Sequence, residues 1–121
     1  SNYSSQYNLP GTFAPIASYE LMQKAIDKAN EQETKITVGN ILSNDVFYSD
    51  AGLDNLAKWK KMGVLCVEME AAGLYMNASR AGVNALVILT ISDCPFTGEE
   101  CSAHDRQVAF TKMMEIALEL A

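Results

Sequence analysis

The chain has 121 residues, of which 49% are hydrophobic and 20% are charged, as in an ordinary globular domain. This composition excludes a disordered tail and a collagen-like repeat, and no apolar run reaches the roughly 20 residues of a membrane span. The net charge is −6, with nine basic residues scattered among fifteen acidic ones. Because nucleic-acid binding needs clustered Lys and Arg, the sequence does not predict a nucleic-acid partner. Because no apolar run is long enough to span a membrane, it does not predict a membrane partner either.

The cysteines and the histidine bear on location and metal binding. Cys66, Cys94 and Cys101 include no C-x-x-C pair, and their odd number argues against a disulfide framework and a structural zinc site. With His104 as the single histidine, a site of His and carboxylates is poorly supplied. We therefore expect a cytoplasmic protein without a metal.

The predicted elements begin with an irregular arm or linker at residues 1–17, rich in Ser, Asn, Gly and Pro. Ser18 is predicted to cap a helix that fades near Asn30, since apolar residues then recur at helical spacing. Residues 35–39 alternate between apolar and polar and predict a strand. A polar loop is expected to span residues 40–52.

Further along the chain, Asp54 is predicted to cap a short helix that Gly63 closes. Residues 64–67 predict a short strand. The Ala-rich residues 70–80 predict a helix that ends at Gly82.

The last third of the chain begins with a nearly continuous apolar run at residues 85–91, typical of a parallel strand covered on both faces. Ser102 to Asp105 has the spacing of a capping box. The last helix is predicted to bury one stripe: Phe110, Met113, Met114, Ala117, Leu118 and Ala121. Alternating helices and strands predict an α/β fold, with a mainly parallel central sheet flanked by helices, and no boundary appears within 18–121.

Two of the predicted strands run into acidic residues. Residues 64–67 are followed by Glu68 and Glu70, and residues 85–91 by Asp93. Open α/β sheets bind ligands beyond the carboxyl ends of their strands, which favours these acids as site residues. Equally, Glu70 fits a first-turn acid favoured by the helix dipole, and Asp93 fits a cap.

Five segments in this order resemble the nucleoside phosphorylase superfamily, and together its bacterial-type hexameric purine nucleoside phosphorylases. They are 13–17 (FAPIA), 38–40 with 43–48 (VGN, SNDVFY), 67–72 (VEMEAA), 90–93 (TISD), and 97–100 with 106–107 (TGEE, RQ). The segments extend over nearly the whole chain. The resemblance implies that residues 18–121 form the C-terminal half of a single α/β phosphorylase domain.

The resemblance implies a function and roles for seven residues. The activity would be the reversible phosphorolysis of purine (deoxy)ribonucleosides to free base and (deoxy)ribose 1-phosphate, with inorganic phosphate as co-substrate and no cofactor. Asp93 would protonate the purine N7, and Arg106 would approach Asp93 when a loop closes. The substrate-binding residues would be Phe47 beside the base, Met69 under the sugar, Glu70 on the ribose hydroxyls, and Glu68 and Ser92 lining the same pocket.

The sequence departs from the family pattern around the closing loop. Cys94 stands where His usually follows the catalytic Asp, Asp105 stands where Glu usually precedes the Arg, and Pro95, Phe96 and Cys101 are unusual. These changes bear on base preference and loop motion more than on reaction class.

The resemblance also implies dimers assembled into a homo-hexamer for the full-length protein. No glycine-rich phosphate loop is visible, and Arg80 and Arg106 are the only arginines. We therefore expect the 121-residue chain alone to be inactive, with the phosphate site in an upstream half. Two alternatives stay open, a methylthioadenosine or adenosylhomocysteine nucleosidase and a non-catalytic α/β fragment.

Overall fold

The computed structural model describes residues 2–46 and 50–120. These residues begin with a 3₁₀-helix at Asn2–Tyr7. The α-helices that follow are α1 (Tyr19–Glu31), α2 (Gly52–Lys61), α3 (Ala71–Ala81) and α4 (Ala103–Leu118). The strands are β1 (Leu42–Ser43), β2 (Val67–Glu68), β3 (Asp93–Cys94) and β4 (Glu99–Glu100). None of the helices in the described ranges combines the length and the apolar character that a membrane span requires.

The strands form two pairs, one parallel and one antiparallel. β1 pairs with β2 in parallel, with Ser43 opposite Glu68, and β3 pairs with β4 in an antiparallel hairpin. The alternation of helices with a short parallel sheet confirms the predicted α/β class.

The chain divides into two compact units. The first unit combines Ser1–Ser18 with Gly39–Leu86, and the second combines Tyr19–Val38 with Val87–Ala121. The first therefore contains β1, α2, β2 and α3, and the second contains α1, the β3–β4 hairpin and α4. A single domain over 18–121 stays a prediction.

In the first unit, α3 supplies most of the buried surface. Its buried residues are Ala71, Tyr75, Met76 and Ala78. The N-terminal 3₁₀-helix packs on α3, where the Tyr7 hydroxyl donates to Asn77 Oδ1 at 2.5 Å and Arg80 lies 5.9 Å from the Tyr7 ring centre. Gly82 ends α3 with φ of 70°, a left-handed conformation that glycine adopts without strain, as the sequence predicts.

In the second unit, α1 packs against α4. Ala25 and Ala29 are buried on α1, and Ile116 is buried on α4. Lys28 forms ion pairs with Glu31 at 2.9 Å and with Glu119 at 3.6 Å. The hydrogen bond and charge of Glu31, with Glu119 adding, raise the pKa of Lys28 above its ordinary value.

The predicted stripe of α4 is wrong in its direction. Phe110, Met114 and Leu118 are exposed, Leu118 by 76%, whereas Ile116 is 2% exposed. Because apolar residues lie all around this helix, their spacing fits more than one face. The position of the neighbouring helix α1 decides which face is buried.

Two predicted strands are not formed within the described residues. Residues 35–39 and 85–91 have no strand assignment, and in the second run Leu89 and Ile91 are 41% and 55% exposed. A strand exists only where another strand pairs with its backbone, and an apolar run by itself supplies no such partner.

Two predictions at the start of α2 and in the polar loop also need correction. α2 begins at Gly52 after the N-cap Ala51, so Asp54 is a first-turn acid and not the cap. The Asp54 amide donates to the Ala51 carbonyl at 3.1 Å, which shows that the chain already turns before Asp54. β1 lies inside the predicted polar loop. Gly63, with φ of 79°, follows the end of α2 as predicted.

Candidate functional site

The first candidate site lies at the start of α3, in the first unit. The N-terminus of a helix leaves amide groups without intrahelical partners, and a carboxylate there satisfies them and complements the helix dipole. The half-buried Glu68, at the end of β2, provides this carboxylate: its Oε2 accepts hydrogen bonds from the amides of Glu70 and Ala71, both at 2.6 Å. Glu68 therefore caps α3 from a position just outside the helix.

Ser43 completes this arrangement from the neighbouring strand. Its hydroxyl donates a short hydrogen bond to Glu68 Oε1 and accepts one from the Ala72 amide at 2.9 Å. The parallel register places Ser43 directly opposite Glu68, and the Asn44 amide donates to the Glu68 carbonyl at 2.8 Å. Three successive amides at the start of α3 are thereby satisfied by two side chains.

An open cleft of about 300 Å³ lies beside this helix start. Met69 and Glu70 line it, together with Ser43, Asp45 and Asn77. Glu68 is not among the described residues that line the cleft. Of the two acids at the end of β2 and just after it, Glu70 lines the cleft and Glu68 binds the helix.

The two cleft residues after Glu68 are exposed, Met69 by 42%. The Met69 amide approaches Glu70 Oε2 at 3.3 Å. A carboxylate held by its backbone and exposed at its oxygens can accept hydrogen bonds from two adjacent hydroxyl groups. The thioether of Met69 supplies an adaptable apolar surface next to it.

The second candidate site is the β3–β4 hairpin of the second unit. Asp93 begins β3, and the Ser92 hydroxyl donates a hydrogen bond to Asp93 Oδ1. The Cys101 amide donates to the Ser92 carbonyl at 2.8 Å, and the turn closes with the Gly98 amide donating to the Cys94 carbonyl at 2.9 Å. Asp93 is exposed and stands opposite Glu100.

Arg106 lies in the first turn of α4, at the end of the same loop. Ser102 caps this helix: its hydroxyl oxygen accepts from the Asp105 amide at 3.0 Å and donates to Asp105 Oδ2 at 2.7 Å. Ser102 is thus the N-cap that the predicted capping-box spacing requires, and the Asp105 carboxylate binds the Ser102 hydroxyl. The Arg106 side chain is exposed, and within the ranges that the structure describes it forms no ion pair with Asp93.

The structure brings some of the seven predicted site residues together and not others. It brings Met69 and Glu70 to one cleft, and it joins Ser92 to Asp93 by a hydrogen bond. Phe47 lies outside the described residues. The predicted roles of all seven stay predictions.

Two further residues of these sites escape sequence reasoning. Ser43 and Glu100 lie in segments that carry the resemblance, but only strand pairing places them opposite Glu68 and Asp93. The signal that could have indicated Ser43 is a hydroxyl residue at a strand end, paired with a strand that ends in an acid.

Cys66 lies just before Glu68 in the chain and is half-buried. Burial raises the pKa of its thiol above the ordinary value, and the negative charge of Glu68 adds to this. Cys66 is therefore a thiol rather than a nucleophilic thiolate at neutral pH.

The family model described as the phosphorylase superfamily matches residues 1–120. The chain is similar to the DeoD-type purine nucleoside phosphorylase of Clostridium novyi, with 56% identity over 109 residues, 90% of this chain and 46% of that relative. For the enzyme of the same name from Bacillus cytotoxicus the identity is 48% over 118 residues, 97% of this chain and 50% of the relative. The chain thus spans about half the length of the curated relatives it matches.

Two solved structures share its fold. The Toxoplasma gondii purine nucleoside phosphorylase in complex with immucillin-H aligns with a TM-score of 0.78 and 22% identity, covering 93% of this chain and 47% of that one. The P. knowlesi homologue of the P. falciparum PNP aligns with a TM-score of 0.77 and 25% identity, covering 96% and 46%.

Proposed function

Since this chain belongs to the phosphorylase superfamily, we propose that it forms the base- and ribose-binding half of a purine nucleoside phosphorylase. The reaction is the reversible phosphorolysis of purine (deoxy)ribonucleosides. A phosphate oxygen bonds to the anomeric carbon, and the bond from that carbon to purine N9 breaks. The electron pair of that bond goes to the purine, which takes up a proton at N7.

The observation that carries this proposal is that two acids close in sequence, Glu68 and Glu70, have different surroundings. Glu68 is engaged by the α3 amides, whereas Glu70 presents its carboxylate to the cleft beside Met69. An exposed carboxylate next to an apolar surface suits a ribose ring, whose adjacent hydroxyls donate and whose carbon face is apolar. The same negative charge stabilises the cationic character that the sugar gains as the bond to the base breaks.

Asp93 is the proposed general acid for N7. Proton donation of this kind accelerates a reaction by roughly 10²–10⁴-fold. Ser92 donates to Asp93 Oδ1 and so orients the carboxyl group. Arg106, at the far end of the hairpin loop, is proposed to approach Asp93 only when bound substrate closes that loop.

Phe47 and Glu68 complete the proposed set, but in different ways. Phe47 follows β1 and is proposed to lie beside the base, on the strength of its sequence match. Glu68 is proposed to act at the edge of the nucleoside pocket through the helix start that it holds.

Phosphate recognition is proposed to lie in the half of the relatives that this chain does not match. Phosphate sites need clustered arginines or the backbone amides of a glycine-rich turn. We propose inorganic phosphate as co-substrate, no cofactor, a homo-hexamer assembled from dimers for the full-length enzyme, and a cytoplasmic location.

The competing function is hydrolysis of the same bond, as in methylthioadenosine and adenosylhomocysteine nucleosidases, with water as nucleophile. Arg106 and the loop around Phe47 favour the phosphorylase, because these hydrolytic relatives lack an Arg at that point. The test is purine release from inosine and adenosine by the full-length protein, with and without phosphate. A phosphorylase releases base only with phosphate, whereas equal release in its absence would identify a hydrolase. No release in either condition would favour a non-catalytic protein.

A further inference from the structure

Ser43 lines the cleft, and the proposed function gives it no role. It sits at the end of β1, where its hydroxyl is half-buried. It both donates to Glu68 Oε1 and accepts from the Ala72 amide at 2.9 Å. A single hydroxyl thus ties the first strand pair to the helix start.

From this geometry we infer that Ser43 is a positioning residue, which together with Glu68 fixes Glu70 for binding ribose hydroxyls. The inference rests on the proposed function, because the ribose role of Glu70 belongs to that function. It adds a residue 27 positions earlier in the sequence, on another strand, that determines how well the cleft discriminates sugars.

The position of Glu70 depends on the hydrogen bonds of its backbone. The Glu70 backbone has no helical partner for its amide, since Glu70 is the N-cap of α3. The bond from that amide to Glu68 Oε2, at 2.6 Å, fixes the amide side of the Glu70 backbone, while the Glu70 carbonyl accepts from the Leu74 amide at 3.1 Å. The direction of the Glu70 side chain therefore depends on where the Glu68 carboxylate is held.

The Glu68 carboxylate is held by partners on both of its oxygens. One carboxylate oxygen binds the amides of Glu70 and Ala71, and the other binds the Ser43 hydroxyl. Without the hydroxyl, Glu68 loses the partner that orients its plane, and the Ala72 amide loses its acceptor. Groups that orient a binding residue in this way tune its affinity even though they do not touch the ligand.

A positioning role and a purely structural role of Ser43 predict different kinetic effects. Ser43 also lines the cleft, yet its hydroxyl is engaged by two protein partners. Loss of the Ser43 hydroxyl should therefore weaken the binding of the sugar hydroxyls by Glu70. It should leave proton transfer to the base unchanged. The expected effect is a rise in KM for ribonucleosides and a smaller rise in KM for 2′-deoxyribonucleosides.

The test uses the full-length protein with Ser43→Ala, with Ser43→Thr as the rescuing variant that keeps a hydroxyl. Thr111→Ala is the matched control, because it removes a hydroxyl that donates to the Gln107 carbonyl at 3.0 Å on α4. Hydrogen exchange at the amides of Glu70, Ala71 and Ala72 reports the network directly. KM and kcat for inosine and 2′-deoxyinosine report its consequence.

In Ser43→Ala we expect exchange at these three amides to accelerate by about fivefold or more, the equivalent of one hydrogen bond. We expect KM for inosine to rise by about fivefold, with a smaller rise for 2′-deoxyinosine and little change in kcat. Ser43→Thr should restore both readouts, and Thr111→Ala should change neither.

Three results would overturn the inference or its premise, and they can be told apart. Unchanged exchange in Ser43→Ala would show that the network does not hold the helix start. Faster exchange with unchanged KM, or with equal KM increases for both sugars, would show a structural role alone. Absence of purine release by the wild-type protein would overturn the proposed function itself, and with it the ribose role.

Discussion

Asp93 and Glu100 stand directly opposite each other in the antiparallel β3–β4 hairpin. The Cys101 amide bonds to the Ser92 carbonyl at 2.8 Å, so the Asp93–Glu100 pair is flanked by a hydrogen-bonded pair and its side chains lie on the same face. The residue proposed as general acid therefore shares its hairpin face with a second carboxylate.

Like charges that face each other across a strand pair are destabilising. We expect Glu100→Gln to stabilise the full-length protein by about 0.2–1 kcal/mol, measured by urea unfolding at neutral pH. Glu99→Gln is the matched control, because Glu99 stands opposite the uncharged Cys94. Equal effects of the two substitutions would mean that the opposed charges carry no energetic cost.

The role of Asp93 is tested by Asp93→Asn, which keeps the shape of the side chain and removes the carboxyl group through which a proton would pass to N7. We expect turnover of inosine to fall by at least about tenfold, with nucleoside affinity nearly unchanged. Asp27→Asn, an exposed change on α1, serves as the control. Turnover close to wild type in Asp93→Asn would remove this residue from the mechanism.

Ser102 holds the start of the helix that carries Arg106. Ser102→Ala removes the acceptor for the Asp105 amide, and an N-cap of this kind contributes about 1 kcal/mol to the free energy of unfolding. Ser79→Ala is the comparison, since Ser79 is exposed within α3 and should change stability by less than about 0.5 kcal/mol. The expected loss should appear in urea unfolding of the full-length protein. Similar stabilities of the two variants would argue against the cap.

The raised pKa of Cys66 predicts a pH dependence of its reactivity. Since the thiolate is the reactive form, alkylation of Cys66 by iodoacetamide should rise at a higher pH than for an ordinary thiol. In Glu68→Gln the negative charge is gone, so this rise should move to lower pH, whereas the exposed control Glu115→Gln should leave it in place. Peptide mass spectrometry measures the rate at Cys66 itself. If the alkylation rate of Cys66 in the wild type rises at the same pH as that of an ordinary thiol, the raised pKa of Cys66 is contradicted.

Local signals in the sequence predict the helix ends well. The cap at Ser102, the left-handed Gly82 after α3 and the Gly63 turn each depend on residues within a few positions of one another. Such features are encoded by the chain around them and need no distant partner. For the same reason, the helical spacing predicts α1 and α3 closely.

Features that depend on distant residues were beyond the sequence pattern. The run at 85–91 is apolar enough for a buried strand, yet no described strand pairs with it. The engagement of Glu68 by α3, and the pairing of Ser43 with it, follow from a strand register that no local pattern fixes. The sequence thus indicates Glu68 and Glu70 as site residues, but it does not indicate which of them lines the cleft.

The identity of the pentose product tests the proposed phosphorolysis most directly. The full-length protein is incubated with inosine and inorganic phosphate, and the products are followed by ³¹P NMR together with hypoxanthine release. We predict one ribose 1-phosphate for each hypoxanthine, and no hypoxanthine when phosphate is left out. Free ribose as the product, formed at the same rate without phosphate, would contradict the phosphorolytic function.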